Sequence, residues 1–209
     1  MSLARVADST DCSARFFSFR RRADRCVRLA LLFLACVTFH LPISRAQQQS
    51  PTEYQVKAAY LYNFGKFVDW SATSAAAKRE GFEICVLGQD PFGAALDGAL
   101  ARQSIDGKSV MARRIAKPQD AAGCRILFIS SSEDHQLKSI FTVLDGAGVL
   151  TVSDIPQFSQ RGGMIGFTLE GNRVRFEVNL TTAEAAGLTL SSELLKVAVA
   201  VRRNTSSGD

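Results

Sequence analysis

The sequence predicts an α/β fold: a three-layer sandwich with a mixed, mainly parallel sheet, helices on both faces and a C-terminal β-hairpin. Three observations carry this expectation. From residue 53 onward, short β-rich runs alternate with helical patterns at the spacing of βαβ units. The run RILFIS is continuous and β-rich and FEICVLG mostly apolar, as befits strands buried on both faces. Gly171-Asn172 separates two strand-like runs, a tight-hairpin signature.

The elements follow in chain order. Residues 1–46 read as a secretory signal. Arg20 to Arg28 is a positive region, Leu29 to Leu41 an apolar run, and Ser44-Arg45-Ala46 a small-x-small cleavage site before Gln47. The apolar run is well short of the roughly 20 residues that span a bilayer. Cleavage after Ala46 leaves residues 47–209 as a single exported domain, expected in the periplasm. Ser50-Pro51-Thr52 then opens a helix over Glu53 to Trp70, with a stripe of Val56, Ala59, Tyr60, Asn63, Phe64, Phe67 and Val68. Ser71 to Glu80 is a polar connection. Phe82 to Gly88 is a strand, and Asp90-Pro91-Phe92-Gly93 starts a helix reaching Leu100. Ser109 to Ile115 alternates like an edge strand. Arg125 to Ser130 is a buried strand, and Glu133 to Leu144 a helix capped by Ser131 or Ser132. Val149 to Ser153 is a further strand. Met164 to Glu170 and Arg173 to Asn179 form the hairpin. Thr181 to Gly187 and Ser191 to Val201 are closing helices, and the tail from Arg202 is polar. If the sheet order begins 2-1-3, as in flavodoxin-like sheets, the strands at Phe82 and Arg125 are neighbours.

Charge and side-chain inventory bound the chemistry. The formal charge of the 209-residue chain is +5. Of its 25 Lys and Arg and 20 Asp and Glu, residues 1–46 hold eight and three, so 17 of each remain and the mature chain is neutral. Neutrality excludes a sequence-independent nucleic-acid binder, which needs a basic face. Beyond residue 46 the only histidine is His135 and the only cysteines are Cys85 and Cys124. Two cysteines and one histidine do not assemble a common zinc site. No Walker loop, G-x-S-x-G or G-x-G-x-x-G is present. His135 reads as a solvated helix-start residue, so neither an enzyme nor a cofactor is expected. Two cysteines in an exported chain are expected as a disulfide, within reach if their strands are neighbours.

Two surfaces are candidates for binding. The turn at Gly88 to Gly93 follows a strand and opens a helix, where free N–H groups favour anions, although Asp90 suits the cap itself. On the hairpin, Arg173, Arg175, Glu177 and Asn179 share one strand face by period two, opposite Val174, Phe176 and Val178. That face is either the wet side of a half-buried sheet or a recognition surface. Tyr60, Phe67 and Trp70 are candidate aromatic anchors for it.

The segments EYQVKAAYLYNFGKFVDW, ICVLGQDPFG, CRILFIS, LTVSD, FSQRGGMIGF, NRVRFEVNL and AGLTLSSELLKVA, in this order, resemble the YfiR family, the DUF4154 domain. The resemblance implies a non-enzymatic periplasmic regulator that tends to dimerise. It implies repression of an inner-membrane diguanylate cyclase through the cyclase's periplasmic segment, lowering cyclic-di-GMP and biofilm formation, with an outer-membrane lipoprotein able to sequester the repressor. It also implies a disulfide at Cys85 and Cys124. The rival expectation is a small-anion or solute-binding module of another membrane sensor or transport system, using the Gly88 turn and the Arg173/Arg175 strand.

Overall fold

The computed structural model describes residues 51–70 and 81–203. The leader, the polar connection at Ser71 to Glu80 and the end of the tail lie outside the described residues.

The first helix, α1 (Glu53–Phe67), starts where the sequence places it. Thr52 Oγ1 accepts a hydrogen bond from Gln55 N–H, and Gln55 Oε1 accepts one from the Thr52 backbone N–H, satisfying two amides that a helix start leaves open. The helix ends three residues earlier than expected. Val68 adopts an extended conformation, and β1 (Val68–Trp70) pairs antiparallel with β9 (Leu188–Leu190). Val68 is buried in that ladder, a setting that suits its β-branched side chain. The buried stripe is Lys57, Ala58, Leu61, Phe64 and Gly65, rotated from the expected one. Ala59, Asn63 and Phe67 face solvent.

The strands of the main sheet lie in the order Ala200–Arg202, Arg173–Asn179, Ile165–Glu170, Leu150–Ser153, Ile126–Ile129, Phe82–Leu87, Lys108–Ile115 and Ser104–Ile105. Its parallel core is β4 (Lys108–Ile115), β2 (Phe82–Leu87), β5 (Ile126–Ile129) and β6 (Leu150–Ser153), with Cα partners Ile84↔Ile126 and Ile126↔Leu150. The 2-1-3 start is therefore present. The strand beginning near Ser109 is covered at one end by β3 (Ser104–Ile105). β7 (Ile165–Glu170) and β8 (Arg173–Asn179) form the hairpin, with Gly171 and Asn172 both at positive φ (52° and 62°) as a two-residue turn of this hand requires.

The helices differ from expectation mainly at their starts and ends. α2 (Ala94–Leu100) begins four residues late, because Asp90 accepts Phe92 N–H at 2.8 Å in a turn of its own. The segment before α3 (Leu137–Leu144) is a 3-10 turn over Ser131–Gln136, capped by Ser130 rather than Ser131 or Ser132, with His135 exposed as expected. α4 (Leu180–Ala185) precedes β9. The expected closing helix Ser191 to Val201 is shorter: α5 (Ser192–Val197) stops, and β10 (Ala200–Arg202) pairs parallel with β8.

Two apolar cores lie on opposite sheet faces. One joins Ala58, Leu61 and Phe64 of α1 and Leu96 of α2 to Ile84, Phe128, Val152, Phe167 and Phe176. The other joins Leu137, Ile140 and Leu144 of α3 to Cys85, Leu127, Ile129 and Phe158. This is a three-layer sandwich. Each fully buried Leu, Ile or Phe contributes about 1.5–3 kcal/mol.

Candidate functional site

In open α/β sheets, ligands sit beyond the carboxyl ends of the parallel strands where the strand order reverses. Here that crevice is filled by the chain's own side chains. Gly88 turns at φ 85°, and a Cβ there would strike Ser132 and Glu133. Gln89 N–H donates to Ser132 Oγ at 3.0 Å, and Ser132 Oγ donates to Glu133 at 2.8 Å. Arg114 closes the neighbouring turn. It donates from Nε to Asp90 at 2.9 Å, from Nη1 and Nη2 to Asp97 at 2.7 Å each, and to Gly93 C=O at 2.9 Å. The bidentate hydrogen bonds from Arg114 pull the Asp97 carboxyl below the usual carboxylate range, and Asp97 in turn raises the guanidinium. The Gln89 and Phe92 amides, which the anion reading of this turn needed, are used internally.

Arg173, Arg175, Glu177 and Asn179 share one face of β8 as their spacing dictates, but their environments differ. Arg173 and Arg175 are exposed. Glu177 is half-buried, accepts Ser159 Oγ at 2.7 Å and lies 3.6 Å from Arg202. Asn179 is 7% exposed and structural. Its Oδ1 caps α4 at Thr182 N–H (3.1 Å), and its Nδ2 donates to Ser159 C=O (2.9 Å). The candidate aromatic anchors are not brought to this face. Tyr60 packs on Phe167 (5.9 Å) and Phe176 (5.5 Å), on the opposite side of the sheet. Trp70 meets Phe82 edge-on at 5.4 Å beneath the Arg125 guanidinium. Phe67 is 40% exposed at the end of α1.

Cys85 and Cys124 are joined, with Cα atoms 5.9 Å apart, inside the second core. Arg113 flanks them. Its Nη2 donates to Asp120 C=O at 2.9 Å and points at Cys124 Sγ at 3.4 Å. Its Nε lies 2.9 Å from Glu83, a charge contact without hydrogen-bond alignment. Glu83 and the two sulfurs are spaced as metal ligands, but the disulfide occupies both sulfurs.

A polar cluster that sequence reasoning missed borders a cavity of about 360 Å³. Lys57 is 2% exposed. Its ammonium pairs with Glu53 one helical turn earlier and with Asp154 at 2.6 Å, and lies 4.4 Å from the Tyr54 ring centroid. Tyr54 hydroxyl also donates to Asp154 at 3.0 Å. Burial, then the adjacent Asp154 charge, pushes the Tyr54 phenol up to about 12. The available signals were a lysine between apolar neighbours in α1 and an aspartate directly after the fully buried β6.

The YfiR/HmsC-like family model (DUF4154) matches residues 54–199. Among solved structures, the chain is similar to a conserved domain protein from Vibrio cholerae O1 biovar El Tor, with 13% identity and TM-score 0.44, over 57% of this chain and 54% of that one. It is also similar to an ABC domain in complex with L-Trp from Streptococcus pneumoniae, with 11% identity and TM-score 0.46, over 69% and 60%. The chain thus spans less than two thirds of either structure's length.

Proposed function

The chain belongs to the YfiR/HmsC-like family, a family of periplasmic regulators, and from that premise we propose that it represses an inner-membrane diguanylate cyclase by binding the cyclase's periplasmic segment. Repression lowers cyclic-di-GMP and biofilm formation. The carrying observation is the family match over 54–199, which spans nearly all of the described domain. The filled crevice at Gly88 and Asp90 supports a role exercised through a surface rather than a small-molecule site. The family is not a known enzyme family. Arg173 and Arg175 offer exposed guanidinium forks suited to partner carboxylates. A homodimer and sequestration by an outer-membrane lipoprotein belong to the same proposal, as does export with removal of residues 1–46.

The test is genetic and chemical. Deleting the gene should raise cyclic-di-GMP and surface attachment, and supplying the exported mature chain should restore both. Unchanged nucleotide and attachment in the deletion strain, with its periplasm-facing cyclase intact, would overturn the reading.

A further inference from the structure

One strand position in the main sheet is only half filled. β6 runs beside β7 only at Val152↔Ile165 and Ser153↔Gly166. The chain then leaves the sheet, with Ile155 N–H donating to Ser153 Oγ at 3.0 Å. β7 continues to Glu170, paired on its other side with β8. Antiparallel pairs alternate between hydrogen-bonded and open. Asn179 N–H reaches Met164 C=O at 2.7 Å, so in steps of two Gly166/Glu177, Thr168/Arg175 and Glu170/Arg173 are the bonded pairs. The backbone groups of Phe167 and Leu169 therefore point away from β8; the Ser153↔Gly166 pairing takes up the Phe167 N–H, and the Phe167 carbonyl and both Leu169 groups face the space that β6 vacates. The outer side of the hairpin agrees: Phe176, opposite Phe167, turns its carbonyl outward to accept Val199 N–H at 2.9 Å. Among the described residues no strand pairs with this side of Phe167–Glu170.

The vacated position opens on the 360 Å³ cavity, whose walls include Glu53, Lys57, Asp154 and Thr168. Leu169, 55% exposed, separates it from a second cavity of about 340 Å³ beside Pro51 and Arg173. Two carboxylates face one ammonium in the first cavity, and that ammonium is spent on both. The surplus charge is negative, so the space suits a basic side chain and penalises an acidic one.

We propose that this open half-edge is the docking site of an extended segment of a partner protein, which adds as a short strand beside Phe167–Glu170 and places a Lys or Arg side chain in the Glu53/Asp154 cavity. Strand addition supplies main-chain hydrogen bonds, and the cavity supplies specificity. The proposal rests on the reading of the chain as a regulator that acts by binding, and names where that binding occurs.

The probe is a short capped peptide of alternating threonine and valine with one central lysine, compared with the same peptide carrying glutamate there. Binding to the mature chain is read by fluorescence anisotropy, and hydrogen exchange reads the Leu169 amide. The lysine peptide should bind, slow exchange at Leu169, and outcompete the glutamate peptide. Leu169→Pro removes the outward N–H without taking a bond from β8 and should abolish binding. Glu53→Gln, at a half-exposed site, should weaken it by about tenfold and serves where Leu169→Pro does not fold. Equal binding of the two peptides, unchanged exchange at Leu169, or full binding by folded Leu169→Pro overturns the proposal. So does a Leu169→Pro chain that merely falls from dimer to monomer, since a second copy would then be the occupant. In cells the two readings separate. Folded Leu169→Pro that still lowers cyclic-di-GMP defeats this docking site and leaves repression standing. A wild-type chain that binds the lysine peptide but leaves cyclic-di-GMP unchanged defeats repression and leaves the docking site standing.

Discussion

Removing Lys57 alone should cost more than removing it together with Asp154. At 2.6 Å, and with an effective dielectric of about 20, the attraction between the two charges is roughly 6 kcal/mol. Most of that offsets the desolvation of both groups, so the pair itself adds little net stability. Breaking it is different. Lys57→Met leaves Asp154 without its countercharge in a site that retains only 15% side-chain exposure. Truncating one partner of a buried pair costs about 3–5 kcal/mol. The adjoining cavity admits water to Asp154, which places the expected loss near the lower end, about 3 kcal/mol. Glu53 is 40% exposed and re-solvates at little cost. Lys57→Met/Asp154→Leu removes both charges and should lose less than Lys57→Met alone, leaving a coupling energy of a few kcal/mol in a double-mutant cycle. Urea unfolding of the four proteins at neutral pH measures this. Additive losses, or a Lys57→Met loss below about 1 kcal/mol, would show that the cluster behaves as an exposed pair and that the account of its burial is wrong.

The disulfide Cys85–Cys124, with sequence separation 39, should contribute about 4 kcal/mol by loop closure, so Cys85→Ser should lower the melting temperature sharply, and native periplasmic protein should titrate no free thiol. Tyrosinate absorbance should show one phenol ionising late, near 12, and Tyr54→Phe should delete that phase. The sign follows from the folded state holding this proton more tightly than the unfolded chain does. The stabilisation is complete below the ordinary phenol value near 10 and is lost as pH climbs through the folded value. Arg173→Glu/Arg175→Glu should melt like the parent, since both side chains are exposed, while losing repression; a double variant that represses normally removes this strand from the functional surface. N-terminal sequencing of periplasmic material should begin at Gln47, and a full-length chain retained in the cytoplasm would remove the basis for export.

The frame was legible because it rests on local signals. Apolar runs gave β2, β5 and β6, Gly171-Asn172 gave the hairpin, and Ser50-Pro51-Thr52 gave the start of α1. The misses are positions where tertiary pairing overrode a local pattern. Val68–Trp70 continues a helical stripe in sequence, but β9 is available to pair with it, and the ladder wins. Ala200–Arg202 likewise leaves a helical pattern to extend the sheet beside β8. Choosing the stripe of α1 from its large apolar residues put Phe67 inside and overlooked Lys57. Periodicity treats a lysine as a surface residue and has no way to register a carboxylate waiting 97 positions later. The same limit applies to the polar face of β8. Period two correctly groups Arg173, Arg175, Glu177 and Asn179, yet it cannot show that Asn179 is consumed in capping α4 while Arg173 and Arg175 remain exposed. Strand alternation assigns a side; only the neighbours that the fold brings to that side decide whether a polar residue holds the structure together or meets a partner.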